Sequence, residues 1–137
     1  MTLIDFFKND RFAALAGCEL LDIAEGYARA RMLVGEEHLN GGDVCQGGAL
    51  FTLADLAFAA AVNSHWQLTF STNGNITFLR SVPKGRYVYA EARELADHKK
   101  LPFGEVRLTD DEGHLVAVFT ASGYRKQDVI TEEKGQN

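Results

Sequence analysis

The chain has few of the residues that build disulfide frameworks, metal centres or nucleic-acid surfaces. Two cysteines in 137 residues, neither in a C-x-x-C, are too few for a disulfide framework, so we expect reduced thiols. Four scattered histidines, which we expect in loops or on the surface, give no metal-ligand spacing. A net charge of −5 argues against a nucleic-acid partner. We therefore expect no metal, no cofactor and no nucleic acid.

Membrane and export signals are also absent. The apolar segments are short for a bilayer span, and the N-terminus lacks a basic region followed by an apolar run. Hydrophobic content of 46% and charged content of 24% are typical of a globular protein. These features predict one cytoplasmic domain over residues 1–137, without a membrane partner and with a frayed polar tail at residues 126–137.

The stretch from Gln46 to Val62 organises the rest of the chain. Asp55 is the only charged residue between Val44 and Leu79. A helix that is apolar on every side is a buried helix, and a lone carboxylate within it is costly unless it is paired or protonated. Asp55 is therefore either a catalytic carboxylate with a raised pKa or a satisfied structural residue, unless the helix is less buried than its composition indicates.

The remaining segments predict one N-terminal helix and a mainly antiparallel sheet. Thr2 and Asp5 have the spacing of a capping box, with Asp in place of the usual Glu, and apolar spacing indicates a helix from Thr2 to Leu15. Alternation around turn residues indicates strands. The predicted strands are Cys18–Ala24, Tyr27–Val34, Tyr87–Leu95, Phe103–Thr109 and Leu115–Tyr124. A curved antiparallel sheet wrapped around the Gln46–Val62 helix would bury all its sides.

Leu68 to Leu79 has two interpretations. Asn73-Gly74 between apolar runs favours a hairpin. The alternative is one long strand, with a bulge or a close ligand approach at Gly74.

A glycine-rich loop leads to Gln46-Gly47-Gly48 at the start of the central helix. Glycines there let a ligand approach free N–H groups, although tight packing against neighbouring backbone would also require them. Gly47 and Asp55 are eight residues apart, which is about 12 Å of helical rise. If both act on one ligand, two antiparallel copies of the helix must meet, which requires a symmetric dimer.

These residues resemble the PaaI-type branch of the hotdog-fold thioesterases. The shared pattern is Asn40-Gly41, then Gln46-Gly47-Gly48, then Leu53-Ala54-Asp55, followed by the strand and turn of residues 75–85. The resemblance covers residues 3–125. It implies an α+β hotdog fold, favours the long strand over the hairpin, and implies hydrolysis of acyl-CoA by a homodimer that pairs into a homotetramer.

The resemblance also implies site residues. Asp55 matches the catalytic carboxylate, Gly47 the backbone donor to the thioester carbonyl, Asn40 a side chain near that carbonyl, and Ser71 a hydroxyl that holds the attacking water. Gln46 stands where the family has histidine, and an amide cannot become cationic near neutrality. Further substrate-binding residues are expected at Gly48 and Gly74 and, for the CoA phosphates, at Arg80, Lys84, Arg86, Lys99 and Lys100.

Two other functions stay open. A non-catalytic binder of acyl-CoA or acyl carrier protein would use the same pocket, but it has little reason to keep Asp55 among apolar residues. A hotdog dehydratase or hydratase would need a catalytic histidine, for which His38 is the candidate in the matching loop. The identity of the acyl group stays open, with aromatic or medium-chain groups as the expectation from the family.

Overall fold

The computed structural model describes residues 1–130, which form two short α-helices, one long α-helix and six strands, with one 3₁₀ turn at Glu36–His38. In chain order these are α1 Leu3–Phe7, α2 Arg11–Leu15, β1 Cys18–Ala24, β2 Tyr27–Leu33, α3 Gly47–Val62, β3 Gln67–Phe78, β4 Tyr87–Ala96, β5 Phe103–Asp110 and β6 Leu115–Val129. None of these three helices has both the length and the hydropathy needed to span a bilayer.

The six strands form one antiparallel sheet that curves around α3. The strand order is β1-β2-β4-β5-β6-β3, and α3 contacts all six strands. Small side chains such as Ala28, Ala30 and Ala90 are fully buried on the inner face, so the helix can approach the sheet closely. The predicted α+β hotdog fold is confirmed.

One side of α3 is less buried than its composition predicts. Leu53, Ala57 and Phe58 are buried against the sheet. On the opposite side, Gly48 is exposed and Thr52, Asp55 and Ala59, spaced three or four residues apart, are partly exposed. We call these four residues the open stripe. The expectation that one chain buries every side of the helix is therefore wrong, because the sheet covers only one side of it.

The N-terminal segment is two helices, not the single helix predicted from Thr2 to Leu15. Thr2 and Asp5 form the expected capping box, and α1 ends at Phe7. A second helix starts after Asp10, whose carboxylate accepts a hydrogen bond from the Ala13 N–H. Local side-chain capping at Asp10 competes with helix continuation, and apolar spacing alone does not reveal it.

Strand β3 is the long strand implied by the resemblance, so the hairpin interpretation is wrong. Its pairing with β6 shifts register between Ser71 and Asn73, which is consistent with a bulge. Within residues 1–130, β3 pairs with β6 alone and forms one edge of the sheet. Strand β6 continues to Val129, beyond the predicted end at Tyr124, so residues 126–129 are not a frayed tail. Residues 131–137 of that predicted tail lie outside the described residues.

Candidate active site

Asp55 lies on the open stripe, two turns after the start of α3. Its Oδ1 accepts a hydrogen bond from the Ser71 hydroxyl at 3.2 Å. Partial burial raises the pKa of Asp55 above its ordinary value. The Ser71 hydrogen bond opposes that rise in pKa, and the negative charge of Asp10 adds to it. The result is a partly buried carboxylate that is more basic than a surface aspartate and has a hydroxyl group beside it.

The start of α3 presents free backbone donors. Ala49 and Leu50 donate their N–H groups to the carbonyl oxygen of Gln46, while the first N–H groups of a helix have no acceptor within it. The side chain of Gln46 makes no capping hydrogen bond. A Cβ at Gly47 would lie 2.6 Å from Cζ of Phe78, so any larger residue there requires this half-exposed ring to shift. The atoms nearest to a Cβ at either glycine belong to the side chains of Phe78 and Gln46, so the expected packing against neighbouring backbone is not found. The helix end keeps its free donors.

The turn before α3 is held by Asn40. Its Oδ1 accepts hydrogen bonds from the N–H groups of Gly42 at 2.9 Å and Val44 at 3.3 Å. This uses the acceptor of the side-chain amide and leaves its NH₂ group as a donor. Cys45 and Gln46 then anchor the chain through backbone bonds to Val82 and His38, both 2.8 Å long. The loop thus fixes the position of the helix N-terminus.

The N-terminal donors and the carboxylate do not meet within one chain. Gly47 and Asp55 belong to the same unbroken helix, which separates them by about 12 Å. Ser71 is brought to Asp55, whereas Gln46 and Gly48 lie at the other end of the stripe. Gly74, expected near the ligand, packs against its own chain: a Cβ there would lie 3.0 Å from Cζ of Phe51.

Comparison with known proteins connects this geometry to a family. The family model described as Thioesterase superfamily matches residues 42–117, which include all of α3 and the strands from β3 to β5. The chain belongs to the thioesterase superfamily. The match covers more than half of the chain and includes Gly47, Asp55 and Ser71.

Similar proteins support the same assignment. A putative esterase of Archaeoglobus fulgidus is 37% identical over 119 residues, which cover 87% of this chain and 77% of the relative. The acyl-coenzyme A thioesterase PaaI of Escherichia coli is 32% identical over 127 residues, covering 93% and 91%. The structure of the Escherichia coli PaaI protein matches with a TM-score of 0.88 over 91% of each chain. A mutant structure of the phenylacetic acid degradation protein PaaI from Thermus thermophilus matches at 30% identity with a TM-score of 0.82, covering 85% and 100%.

The PaaI-type resemblance and the enzyme class, a thioester hydrolase, are therefore confirmed. Neither the oligomeric state nor the role of any single residue follows from these similarities, and both stay predictions. The cellular compartment is likewise a prediction.

The basic residues expected to contact the CoA phosphates differ in whether an acidic side chain already pairs with them. Arg86 is committed to Asp111, whose Oδ1 lies 2.7 Å from its Nε, and it also contacts Glu112. Lys84 pairs with Glu36 at 3.3 Å, but both side chains are largely exposed. Arg80, Lys99 and Lys100 form no ion pair with any residue in the range 1–130. The expected phosphate role therefore weakens for Arg86, because its charge is already compensated.

His38 lies in the connection between β2 and α3, as expected for a loop residue, but its side chain is buried and holds two loops together. Its Nδ1 accepts the N–H of Gly35 at 2.9 Å, so its Nε2 carries the proton and donates to the Ala16 carbonyl oxygen at 2.6 Å. Both ring nitrogens are thus used by backbone groups. This occupation counts against His38 as the catalytic base of a dehydratase.

A second buried charged group was missed by sequence reasoning. Arg125, nearly fully buried, pairs with Glu94 at 3.0 Å and with Asp97 at 2.8 Å, while His65 contacts Glu94 at 2.7 Å. The ligand atoms of His65, Glu94 and Asp97 lie within 4.8 Å of one another, as metal ligands would. Arg125 supplies the positive charge that a metal would bring, so the geometry favours an internal ion pair. The four residues come from distant segments, and no local motif signals them.

Proposed function

We propose that this chain is an acyl-CoA thioesterase that hydrolyses a CoA thioester to a carboxylic acid and CoA. The observation that carries the proposal is Asp55: a basic carboxylate on the open stripe, hydrogen-bonded to Ser71, in a chain whose similar proteins include an acyl-coenzyme A thioesterase. A non-catalytic binder would have no need for a partly desolvated carboxylate on its accessible helix face.

In the proposed reaction, Asp55 removes a proton from a water molecule positioned with the help of Ser71. The water oxygen bonds to the thioester carbonyl carbon, and the Gly47 N–H stabilises the negative charge that develops on the carbonyl oxygen. One such preorganised donor is worth about 3–4 kcal/mol in the transition state. The C–S bond then breaks, and the proton held by Asp55 passes to the departing sulfur.

Direct attack by Asp55 is the alternative route. It would form a mixed anhydride that water then hydrolyses. After single-turnover hydrolysis in ¹⁸O-labelled water, label in the Asp55 carboxylate would identify the anhydride route, because general-base catalysis leaves that carboxylate unlabelled.

The proposed site requires a second copy of the chain. Asp55 of one copy must meet Gly47 of another, because about 12 Å separates them within α3. Two observations support such pairing. The open stripe of α3 is uncovered, and the 12-residue edge strand β3 has unpaired backbone groups and exposed Phe70 and Phe78. A dimer is thus the minimum active unit, and assembly into a tetramer stays a further prediction.

Gln46 and the basic residues have supporting roles in this proposal. Gln46 tunes the rate or the acyl preference without acting as acid or base, so we expect Gln46→His to change turnover modestly. A complete loss of turnover in folded Gln46→Ala would show a larger role. Arg80, Lys99 and Lys100, with the exposed Lys84, are proposed to contact CoA phosphates.

Thiol release from a panel of CoA esters tests the activity, and subunit mixing tests the composite site. Gly47→Pro removes the N–H and introduces proline, which is well tolerated at the first position of a helix. Gly47→Ala carries the same extra Cβ but keeps the donor, so it is the steric control.

Asp55→Asn and Gly47→Pro should each be nearly inactive. After mixing under conditions that exchange subunits, half the dimers are mixed, and each contains one intact site. Turnover should recover to about a quarter of wild type. If the mixture stays inactive although mixed dimers form, the two groups do not combine across copies.

A further inference from the structure

A cavity of about 490 Å³ lies between α2 and the first two turns of α3. Phe12 and Leu15 of α2 form one wall, and Gly48 and Thr52 of the open stripe form the other. The volume lies within the range of small-molecule pockets. Because Gly48 follows Gly47 in the chain, the cavity opens beside the proposed thioester site.

Two polar groups of the cavity walls are already hydrogen-bonded, whereas the side-chain amide of Gln46, which also lines the cavity, makes no capping hydrogen bond. The Thr52 hydroxyl donates to the Gly48 carbonyl oxygen at 2.9 Å, and both ring nitrogens of His38 are bonded to backbone groups. Glu37 is the one charged side chain among the cavity-lining residues of the described chain. The walls therefore offer mainly apolar contacts, together with the Gln46 amide and the negative charge of Glu37.

Phe12 and Leu15 are apolar and exposed, at 68% and 81% of their full accessibility. Side chains this exposed add little to folding, because they remain in water after the chain folds. They lie on the face of α2 beside the N-terminus of α3, where a bound apolar group would remove them from water.

We propose that this cavity binds the acyl group of the substrate. Phe12 and Leu15 determine which acyl chain lengths are favoured, and Glu37 selects against acyl groups that end in a carboxylate. The inference rests on the proposed thioesterase function. It assigns the substrate class as neutral, apolar acyl groups longer than acetyl.

The chemistry of a CoA ester favours this orientation. The nucleotide end is strongly anionic and needs cations, whereas no Lys or Arg within residues 1–130 lines the cavity and Glu37 would repel phosphate. The acyl end is the part that gains from leaving water, and each buried methylene contributes to affinity. The cavity is therefore matched to the acyl group and mismatched to the phosphates.

Binding of non-hydrolysable S-alkyl-CoA thioethers tests the assignment even if hydrolysis is absent. We would measure Kd by calorimetry for S-ethyl-, S-hexyl- and S-decyl-CoA, and for an S-hexyl analogue with a terminal carboxylate. The test variants are Phe12→Ala with Leu15→Ala, which keeps a strong helix former in α2, and Glu37→Gln. Leu95→Ala, an exposed leucine of β4 away from the cavity, is the matched control.

The expected result is a loss of affinity in the double variant that grows with chain length, reaching about three- to tenfold for S-decyl-CoA. Wild type should bind S-hexyl-CoA more tightly than its carboxylated analogue, and Glu37→Gln should narrow that difference. Leu95→Ala should bind all four compounds as wild type does.

Three results would overturn the inference. They are an equal loss of affinity for every chain length, no loss at all, and a change in solution mass of the double variant without a change in chain-length preference. The last would mean that the α2 face contacts another copy of the chain. Thiol release by wild type is measured separately. If no ester is hydrolysed but the effect of chain length on affinity persists, the proposed activity is wrong, whereas the assignment of the cavity to the acyl group is supported.

Discussion

Replacing Asp55 with asparagine is the sharpest test of the proposed chemistry. The substitution conserves the volume of the side chain and its position beside Ser71, but an amide cannot accept the proton of a water molecule. Loss of a general base typically lowers turnover by a factor of about 10² to 10⁴, equivalent to about 3–5 kcal/mol of activation free energy. We expect kcat for a good CoA ester to fall by that factor, with KM changed much less.

The raised pKa of Asp55 also predicts how stability depends on pH. Burial raises the pKa of Asp55 in the folded state above its value of 3.8 in the unfolded chain. The Asp55 carboxyl group therefore contributes to stability only while it is protonated. That contribution is complete below the unfolded pKa and is lost as pH rises through the folded pKa. Asp55→Asn should therefore be at least as stable as wild type at neutral pH, and its advantage should shrink in acid.

Two measurements check this reasoning at a fixed protein concentration. Thiol release gives kcat across pH, and thermal unfolding gives the stability difference between the two proteins. The acid limb of the wild-type profile should report the pKa of Asp55. Ser71→Ala should move that limb to higher pH, because the Ser71 hydrogen bond lowers the pKa. Turnover of Asp55→Asn within about tenfold of wild type would refute the assignment.

Three further predictions concern the helix N-terminus, the phosphates and the buried ion pair. Gly47→Pro should lower kcat by about 10²-fold more than Gly47→Ala, because both crowd Phe78 and only proline removes the N–H; equal losses would exclude the donor role. Neutralising Arg80 and Lys84 together should raise KM for CoA esters at low salt and hardly affect a small thioester without the nucleotide. Equal effects on both substrates would exclude phosphate contacts. Arg125→Met should lower the free energy of unfolding by about 3–5 kcal/mol in denaturant titrations, since it leaves a buried carboxylate without its cation; a loss below about 1 kcal/mol would contradict this.

Local patterns in the sequence were sufficient for most of the elements. The predicted strand Cys18–Ala24 matches β1, and the central helix begins within one residue of its predicted start. The capping box of Thr2 and Asp5 is also present as predicted. These features depend on alternation, capping and turn residues a few positions apart, so a short window of sequence contains the relevant physics.

Where local rules competed, they were not sufficient. Asn73-Gly74 favoured a hairpin, yet β3 passes straight through it, because pairing with the whole length of β6 outweighs the turn preference of two residues. In the same way, Asp10 starts a new helix within a segment whose apolar spacing predicted one continuous helix.

The chain by itself determined that Asp55 is an isolated carboxylate in an apolar helix. Only the tertiary structure decided what surrounds it: Ser71, sixteen residues away, donates to it, and the sheet leaves the open stripe of α3 uncovered. The same holds for Arg86, which pairs with carboxylates far along the chain, and for His38, whose ring is fixed by backbone groups. Periodicity in the sequence shows which residues are apolar. How much of α3 the sheet covers, and which charged side chains pair, depend on the register and curvature of the sheet. Both arise from contacts between distant segments.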